Sequence, residues 1–238
     1  MKFAIIVPAF NEERSIANVV NEINNVLLSN HYQADIIVVN DCSIDSTATL
    51  ISNLKCISLN LPINLGIGGA VQTGFLFAFE HGYDFAIQID GDGQHPADEL
   101  PKLINAAIDN KFDVVIGSRF ISKQGFQSSA MRRFGINYFK LLNRMLVGVD
   151  ILDSTSGFRL INRKALEIVC EYYPDEYPEP ESIIMYSLAN LRIGEVAVEM
   201  KERTNGVSSI GNVASVYYMF KVSLAILFTF VRIKFKSK

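Results

Sequence analysis

The sequence predicts one α/β domain built on a mostly parallel β-sheet. Its 238 residues are enough for one well-buried core, and the 49% hydrophobic content against 20% charged residues excludes extended disorder. Short runs of β-branched residues alternate with segments of helical period. The apolar runs are nearly continuous, which is typical of strands that are covered by helices on both faces.

The alternation is clearest in the first half of the chain. Between residues 12 and 28 the apolar side chains fall on one helical stripe, whereas the run at 3–8 has the length and composition of a buried strand. The predicted order is strand 3–8, helix 12–28, strand 35–41, a helix opened by SIDSTATLISNL, a helix from near Gly68, strand YDFAIQID, helix 97–109 and strand FDVVIGSRF.

Past residue 120 the pattern loosens. We expect a polar loop over 122–135 and then a helix to about Val147. DSTSGFRLINRKAL predicts a strand leading into a helix, and EVAVEMKER alternates with strand period. Residues 172–181 hold three of the seven prolines and are therefore predicted to be loop.

Four predicted strands end in polar residues. These ends are Pro8–Glu13, Asn40–Asp41, Asp90–Asp92 and Ser118–Arg119. Ligands of parallel α/β sheets bind beyond the carboxyl ends of the strands. The pattern therefore predicts a binding site along one edge of the sheet.

Asp90 and Asp92 form a D-x-D at the end of a buried strand. Mg²⁺ and Mn²⁺ are commonly held by one or two carboxylates, with phosphate oxygens and waters completing the coordination. At this edge of a sheet the pair indicates a divalent metal site. The alternative is an acidic turn that only ends the strand.

Asp41 and the glycines that follow it suggest a nucleotide site. The carboxylate could accept hydrogen bonds from a base or ribose, or it could cap a helix. Glycines 66, 68, 69 and 74 allow close approach of the backbone near a helix N-terminus. In a dinucleotide-binding fingerprint the acidic residue follows the glycines, whereas here it precedes them, which argues against an oxidoreductase.

Seven motifs occur in an order that resembles family 2 glycosyltransferases of the GT-A fold. They are VPAFNEERSI, VVNDCSIDST, NLGIGGAVQTGF, IQIDGDGQHP, VIGSRF, STSGFRLINRKAL and KERTNGVSS, and they span residues 3 to about 210. The resemblance is to the polyprenyl-phosphate glycosyltransferases, the dolichol-phosphate-mannose-synthase-like branch. It implies a metal-dependent, inverting transfer of a hexose from a UDP- or GDP-sugar to undecaprenyl or dolichyl phosphate.

The resemblance also implies roles for residues of the donor site. Pro8, Asn11 and Glu12 would line the nucleotide pocket, Asp41 would contact the base, and Gly68 would allow the close approach. Asp92 and Gln94, together with Asp90, would hold Mg²⁺ or Mn²⁺ against the diphosphate. Arg203 would close over that diphosphate, with Ser208 near it.

On the acceptor side the resemblance implies arginines. Arg119 and Arg132 or Arg133 would hold the acceptor phosphate, which needs little help from a general base. The doublet could also be a solvated basic turn. Asp153 is expected to face the site, where it would orient an arginine or the acceptor, and His95 could pack beside the metal turn, although a lone histidine is more often structural.

The acidic stretch PDEYPEPESI leaves a second activity open. Relatives that glycosylate a hydroxyl need a carboxylate base, and Glu179 or Glu181 lies roughly where such a base is expected. Glu181 could equally lie near a helix start and interact with its dipole. A non-catalytic nucleotide-sugar-binding module is a third interpretation, whereas the net charge of −3 gives no case for nucleic-acid binding.

The last segment predicts contact with a membrane. Residues 213–233 carry charges only at Lys221 and Arg232, and a helix of that length would measure about 31 Å. A helix that spanned the membrane would bury Lys221 near its middle, at a cost of about 2.5 to 3.5 kcal/mol. It would also place the basic tail outside the cytoplasm, against the usual bias of basic residues to the cytoplasmic side. We expect a catalytic domain over 1–211, and a helix with a basic tail over 212–238 that lies peripherally on the cytoplasmic face.

Other partners are possible for this helix. A buried core helix, a homo-oligomer contact and a small membrane-protein partner are the alternatives to a lipid surface. The three cysteines, Cys42, Cys56 and Cys170, are far apart and lack metal-ligand spacing, as in a reduced cytoplasmic protein.

Overall fold

The computed structural model describes residues 1–122, 130–176, 178–201 and 212–236. Within these ranges the strands form one seven-stranded sheet with the order β3-β2-β1-β4-β6-β5-β7. The elements are β1 (Phe3–Ala9), α1 (Ile16–Ser29), β2 (Ala34–Asn40), α2 (Thr47–Ile51), β3 (Ile57–Asn60), α3 (Gly66–Glu80), β4 (Phe85–Gln88), a 3₁₀ turn (Ala97–Glu99), α4 (Leu100–Asp109), β5 (Val114–Ser118), α5 (Ala130–Val147), β6 (Arg159–Asn162), α6 (Arg163–Glu171), α7 (Pro178–Leu188), β7 (Ile193–Ala197) and α8 (Asn212–Lys236).

The sheet is mostly parallel, which confirms the predicted fold class. Strand β1 pairs in parallel with β2 and β4, β2 with β3, and β5 with β7. Strand β6 lies between β4 and β5 and is antiparallel to both. The carboxyl ends of β1, β2, β4, β5 and β7 therefore meet at one edge of the sheet.

The core has one apolar layer on each face of the sheet. Strand β1 is buried at all seven positions, so its alternate residues serve both layers. Ile5 and Val7 pack with α1 and α4, whereas Ala4 and Ile6 pack on the face covered by α3, α6 and α7. This burial on both faces explains why the first apolar run does not alternate with polar residues.

Two predicted loops are partly wrong. Helix α7 begins at Pro178, inside the segment 172–181, because a proline in the first helical turn lacks only an N–H that would be unpaired there. Helix α5 begins at Ala130, inside the predicted loop 122–135. Gly135 is buried within α5, where an added Cβ would lie 3.7 Å from the Met219 sulfur of α8.

Helix α8 packs along the protein on one of its faces. Val222 and Ile226 pack with Phe139 and Leu142 of α5 and with Ile184 of α7. None of the helices formed by the described residues combines the length and apolar character that a membrane-spanning segment requires. The predicted helix at 213–233 is present, and part of it belongs to a protein core.

Candidate active site

The predicted polar strand ends lie along the carboxyl edge of the sheet and divide into two groups. We call residues 8–13, 40–47, 64–68 and 90–94 the N-terminal half of the site. The C-terminal half comprises Arg119, residues 152–159, Glu179 and Glu195. The two halves interact electrostatically, because the charge of Asp90 acts on both Arg119 and Glu179.

Asn11 and Glu12 join the end of β1 to the loop that follows β2. The Asn11 Oδ1 atom accepts a hydrogen bond from the backbone N–H of Ile44 at 2.9 Å, and the Glu12 N–H donates to Thr47 Oγ1 at 2.8 Å. Asn11 has a positive φ of 57°, which asparagine tolerates better than most residues. Both predicted nucleotide residues therefore sit in a turn held by backbone contacts.

Pro8 contributes through its carbonyl group. An added Cβ at Gly91 would lie only 2.8 Å from the Pro8 oxygen, so glycine is needed there. The end of β1 and the turn between Asp90 and Asp92 are therefore in close contact.

Asp41 is buried and holds the start of α3. Its Oδ1 atom accepts from the N–H of Leu65 at 2.7 Å, and its Oδ2 atom accepts from the N–H of Gly66 at 2.9 Å. Asp41 therefore makes a capping contact with a helix, which was the alternative interpretation of this residue from the sequence. Its contact with a base stays a prediction.

Gly68 makes a close approach to the protein itself. Its N–H donates to the Asp175 carbonyl at 3.2 Å, and an added Cβ would lie 2.2 Å from that oxygen. The glycine therefore allows α3 to pack against the segment that leads into α7. A ligand role for Gly68 stays a prediction.

The D-x-D turn presents two half-buried carboxylates. Asp92 Oδ1 accepts from the N–H of Gln94 at 3.0 Å, and Asp90 Oδ2 lies 3.4 Å from Nδ1 of His95. His95 is buried and stacks on Phe158 with ring centroids 5.1 Å apart. The N–H of Lys201, at the end of the described range 178–201, donates to the Gln94 carbonyl at 2.9 Å.

The donor set of this turn suits Mg²⁺ or Mn²⁺. Among the described residues there is no group of three or more histidine, cysteine and acidic side chains that could hold a metal ion. Mg²⁺ does not need such a cage, because it keeps several waters and binds one or two carboxylates together with substrate phosphates. Asp90 and Asp92 therefore fit a metal that binds together with a diphosphate.

Arg119 and Asp153 form a buried ion pair in the C-terminal half. The Arg119 Nε and Nη2 atoms each donate to an Asp153 oxygen at 2.6 Å, and the Arg119 backbone N–H donates to Oδ2 at 3.1 Å. Burial alone would lower the pKa of Arg119, but the hydrogen bonds and charge of Asp153 and the charge of Asp90 raise it overall. The guanidinium is therefore permanently charged and fixed in direction.

Arg159 is an important residue that the sequence reasoning missed. It is buried, and its Nη1 atom donates to the Glu179 carbonyl at 2.7 Å and to Ser182 Oγ at 2.8 Å. The same guanidinium donates to the carbonyl groups of Ser154 and Ser156. An arginine in an otherwise apolar strand, GFRLI, was the available signal.

Glu179 and Glu181, the two predicted alternatives for a base, lie in different environments. Burial raises the pKa of Glu179; the guanidinium of Arg159 lowers it and the charge of Asp90 raises it further. Glu181 is buried beside α8, where Thr229 Oγ1 donates to its Oε2 at 3.0 Å. Only Glu179 is therefore associated with the D-x-D turn.

The remaining predicted residues are only partly described. Arg132 and Arg133 lie in the first turn of α5, where the backbone alone is described. Arg203 and Ser208 lie outside the described residues.

A mostly parallel sheet with an acidic D-x-D turn and a fixed arginine at its carboxyl edge defines a GT-A glycosyltransferase. The chain belongs to glycosyl transferase family 2, whose family model matches residues 4–169. It is 32% identical over 215 residues to a UDP-N-acetylglucosamine–dolichyl-phosphate N-acetylglucosaminyltransferase of Methanococcus voltae, covering 82% of this chain and 84% of that protein. It is 28% identical over 229 residues to a polyprenol monophosphomannose synthase of Mycolicibacterium smegmatis, covering 92% and 84% respectively.

Solved structures support the same fold. Glucosyl-3-phosphoglycerate synthase from Mycobacterium tuberculosis, in complex with Mn²⁺ and UDP-glucose, has a TM-score of 0.72 at 19% identity, covering 96% of this chain and 78% of that one. The chain is therefore a glycosyltransferase. At this identity the structural likeness shows the fold alone.

Proposed function

We propose that this glycosyltransferase transfers a hexose from a UDP- or GDP-sugar to a polyprenyl phosphate, undecaprenyl or dolichyl, with inversion at the anomeric carbon. The observation that carries the proposal is the buried, permanently charged Arg119, held by Asp153 beside the D-x-D turn. A phosphate acceptor is attracted by such a cation, and its oxygen is already a nucleophile that needs no general base. The names of the relatives in Methanococcus and Mycolicibacterium support this acceptor class.

On the donor side, Asp90 and Asp92, with Gln94, hold Mg²⁺ or Mn²⁺. When bound, the metal neutralises the diphosphate that leaves the sugar. Asn11, Glu12 and Asp41 shape the nucleotide pocket by fixing the turns that surround it.

Arg203 adds a second cation to the diphosphate. It follows two residues after Lys201, whose N–H is hydrogen bonded to the Gln94 carbonyl beside the acidic turn. A guanidinium in contact with the diphosphate would stabilise the charge that develops on the leaving group.

On the acceptor side, Arg119 binds the phosphate together with Arg132 and Arg133 from the first turn of α5. Asp153 keeps the Arg119 guanidinium in one orientation, so that little conformational entropy is lost when the phosphate binds. The product would be a lipid-linked sugar for envelope or glycan modification.

Transfer to a hydroxyl of a growing glycan is the second candidate, and Glu179 favours it. A hydroxyl acceptor needs a base, and the Glu179 carboxyl is half-buried, has a pKa raised by desolvation and is affected by the charge of Asp90. In the phosphate-acceptor reaction Glu179 has no proton to remove.

One assay separates the two candidates. Labelled sugar is offered from a panel of UDP- and GDP-sugars to short-chain polyprenyl phosphate, with Mg²⁺, with Mn²⁺ and with chelator. We expect one donor to give a metal-dependent, lipid-extractable product. Donor hydrolysis without a lipid product would refute the phosphate acceptor and favour the hydroxyl acceptor.

Two variants with matched controls assign the acceptor. For a phosphate acceptor, Arg119→Lys raises the acceptor KM by about tenfold or more, because a bidentate, oriented cation is lost, whereas Glu179→Gln retains turnover. The exposed Arg163→Lys and Glu171→Gln are the controls. The opposite result, with turnover lost only in Glu179→Gln, would identify a hydroxyl acceptor.

We also propose that the enzyme is attached peripherally to the cytoplasmic face of the membrane through α8. The outer face of this helix is apolar and exposed, with Phe220, Leu224, Leu227, Phe228, Val231 and Phe235 recurring at helical spacing. Tyr138, Leu141 and Met145 of α5 are also exposed. Residues 212–238 contain no acidic residue and five basic ones, which favours an anionic lipid surface.

Flotation with vesicles tests this attachment. We expect the protein to float with vesicles that contain anionic lipid and Phe228→Asp to reduce the floating fraction, whereas Leu28→Asp, at an exposed leucine of α1, leaves it unchanged. Equal flotation of all three proteins would refute attachment through α8. Concentration-dependent dimerisation that Phe228→Asp abolishes, without flotation, would make this face a homo-oligomer contact instead.

A further inference from the structure

Glu195 is an acidic residue of the edge strand β7 whose carboxylate binds the backbone of another segment. Its Oε2 atom accepts from the N–H of Leu152 at 2.7 Å, and its Oε1 atom accepts from the N–H of Asp153 at 2.9 Å. Both carboxylate oxygens therefore hold the backbone that carries Asp153.

The segment bound by Glu195 has no regular structure of its own. Residues 148–158 lie between α5 and β6 and form neither helix nor strand. Their conformation therefore depends on side-chain contacts. Arg159 holds the carbonyl groups of Ser154 and Ser156, while Glu195 holds the amide groups that precede them.

The contacts continue from this segment to the arginine. Asp153 is fully buried, and both of its carboxylate oxygens accept from the Arg119 side chain. Strand β7 lies next to β5 in the sheet, with Glu195 opposite Ile116. Glu195 therefore lies beside β5, opposite a residue two positions before the end of that strand, and Arg119 directly follows the strand.

The electrostatic environment of Glu195 also connects it to Asp153. Burial raises the pKa of Glu195 and the charge of Asp153 raises it further, while the two backbone N–H donors lower it. The side chain of Ser118, the residue before Arg119, also lowers the pKa of Glu195, so this carboxylate faces the end of β5 as well as residues 152–153. The hydrogen bonds connect Glu195 to the Arg119 guanidinium through Asp153.

We propose that Glu195 is a positioning residue for Arg119, and hence for the acceptor phosphate. By fixing the backbone at 152–153, it places the Asp153 carboxylate so that Arg119 keeps one orientation. The link to the acceptor rests on the proposed function, whereas the link to Arg119 does not.

The chain offers a matched control in Asp113. This buried carboxylate also joins two segments, since it accepts from the backbone N–H of Arg192 at 2.8 Å and from Asn162 Nδ2 at 2.7 Å. It lies just before β5, at the opposite end of the strands from Arg119. Asp113→Asn therefore perturbs a comparable contact far from the site.

The first experiment follows the Arg119 side chain by NMR. In the full chain, the Nε–H signal that disappears in Arg119→Lys is assigned to Arg119. We expect the chemical shift of this signal to move toward the free-arginine position in Glu195→Ala. It should move less in Glu195→Gln, because the amide keeps one acceptor oxygen, and it should stay unchanged in Asp113→Asn. An unchanged signal in a folded Glu195→Ala or Glu195→Gln protein would overturn the proposal.

The second experiment measures kinetics with short-chain polyprenyl phosphate. We expect Glu195→Gln to raise the acceptor KM by about tenfold, the range for residues that orient a binding group, and to leave nucleotide-sugar affinity unchanged. A general loss of structure would weaken the binding of both substrates, whereas Asp113→Asn should leave both KM values unchanged. If the wild-type protein transfers no sugar to polyprenyl phosphate, the proposed function fails, while the Arg119 signal still decides the role of Glu195.

Discussion

The two halves of the site are built from different interactions. In the N-terminal half, side chains bind backbone N–H groups, as Asp41 does with Leu65 and Gly66, and Asn11 does with Ile44. The C-terminal half also contains such contacts, at Glu195, but it is distinguished by two buried guanidinium groups, because Arg119 binds the Asp153 carboxylate and Arg159 binds carbonyl groups. One half fixes the course of its turns, and the other fixes the direction of positive charge.

This difference matches the two ligands of the proposed reaction. A nucleotide sugar presents many neutral groups, and in the proposed reaction its charge would be neutralised by a metal held at Asp90 and Asp92. A phosphate acceptor has no such ion, so the protein must supply fixed cations of its own. The energetic consequences also differ, because a single neutral contact is worth about 0.5 to 1.5 kcal/mol, whereas breaking a buried ion pair costs about 3 to 5 kcal/mol.

The largest effect on activity is expected at the acidic turn. Asp92→Asn should lower kcat by about 10³-fold or more, because the metal that stabilises the leaving diphosphate is bound more weakly. Asp98→Asn, at an exposed acidic residue six positions further on, is the control. Turnover of labelled donor at a metal concentration that just saturates the wild-type enzyme measures both, and an Asp92→Asn enzyme that is fully active there would refute metal dependence through this turn.

The largest effect on stability is expected in the C-terminal half. Asp153→Ala removes the carboxylate that is paired with the buried Arg119, so the free energy of unfolding should fall by about 3 to 5 kcal/mol. Asp41→Ala, which also removes a buried carboxylate, should cost about 1 to 3 kcal/mol, because the Leu65 N–H loses its acceptor while the Gly66 N–H keeps Asn64 Oδ1, and no charge is left unpaired. Urea denaturation of both variants measures the difference, and equal losses would contradict the contrast between the two halves.

Prediction from the sequence succeeded best in the N-terminal half. Its strands are continuous apolar runs, and the D-x-D is visible because only one residue separates its two carboxylates in the chain. Strand β3 was missed there, since its four residues at the sheet edge are half-buried or exposed and carry little apolar signal. Contacts between neighbouring residues and periodic burial can be recognised in one dimension.

The C-terminal half was predicted less well for physical reasons. Whether β6 runs parallel or antiparallel depends on how the chain returns after α5, which no local pattern encodes. The contact of Arg159 with Glu179 and that of Glu195 with Leu152 join residues that are 20 and 43 positions apart. A buried charge is recognisable in the sequence only by its unusual apolar surroundings, as in GFRLI.

A smaller effect on stability is expected at the contact between α3 and the segment before α7. Gly68→Ala places a methyl group 2.2 Å from the Asp175 carbonyl, so this backbone must move, at a cost of about 1 to 3 kcal/mol. We expect a lower melting temperature together with a raised KM for the donor. Unchanged donor binding in a destabilised protein would restrict Gly68 to packing.

The smallest effect concerns Glu181, which joins α7 to α8. Burial raises its pKa above the usual 4.5, with Asp175 and Glu176 raising it further, while Thr229 and Arg232 lower it. The folded protein therefore holds this proton more tightly than the unfolded chain. The contribution of Glu181 to the free energy of unfolding must fall as the pH rises from about 4.5 through the raised pKa.

Glu181→Gln removes the buried charge and retains an oxygen that can accept from Thr229. The variant should be more stable than the wild type at neutral pH, within about 1 kcal/mol, and the difference should disappear below pH 4.5. Thr229→Val removes the donor that stabilises the carboxylate, so it should destabilise the protein at neutral pH and less in acid. A wild-type protein that is more stable than Glu181→Gln at neutral pH would mean that Arg232 outweighs burial, and that this carboxylate follows the ion-pair pattern of Asp153.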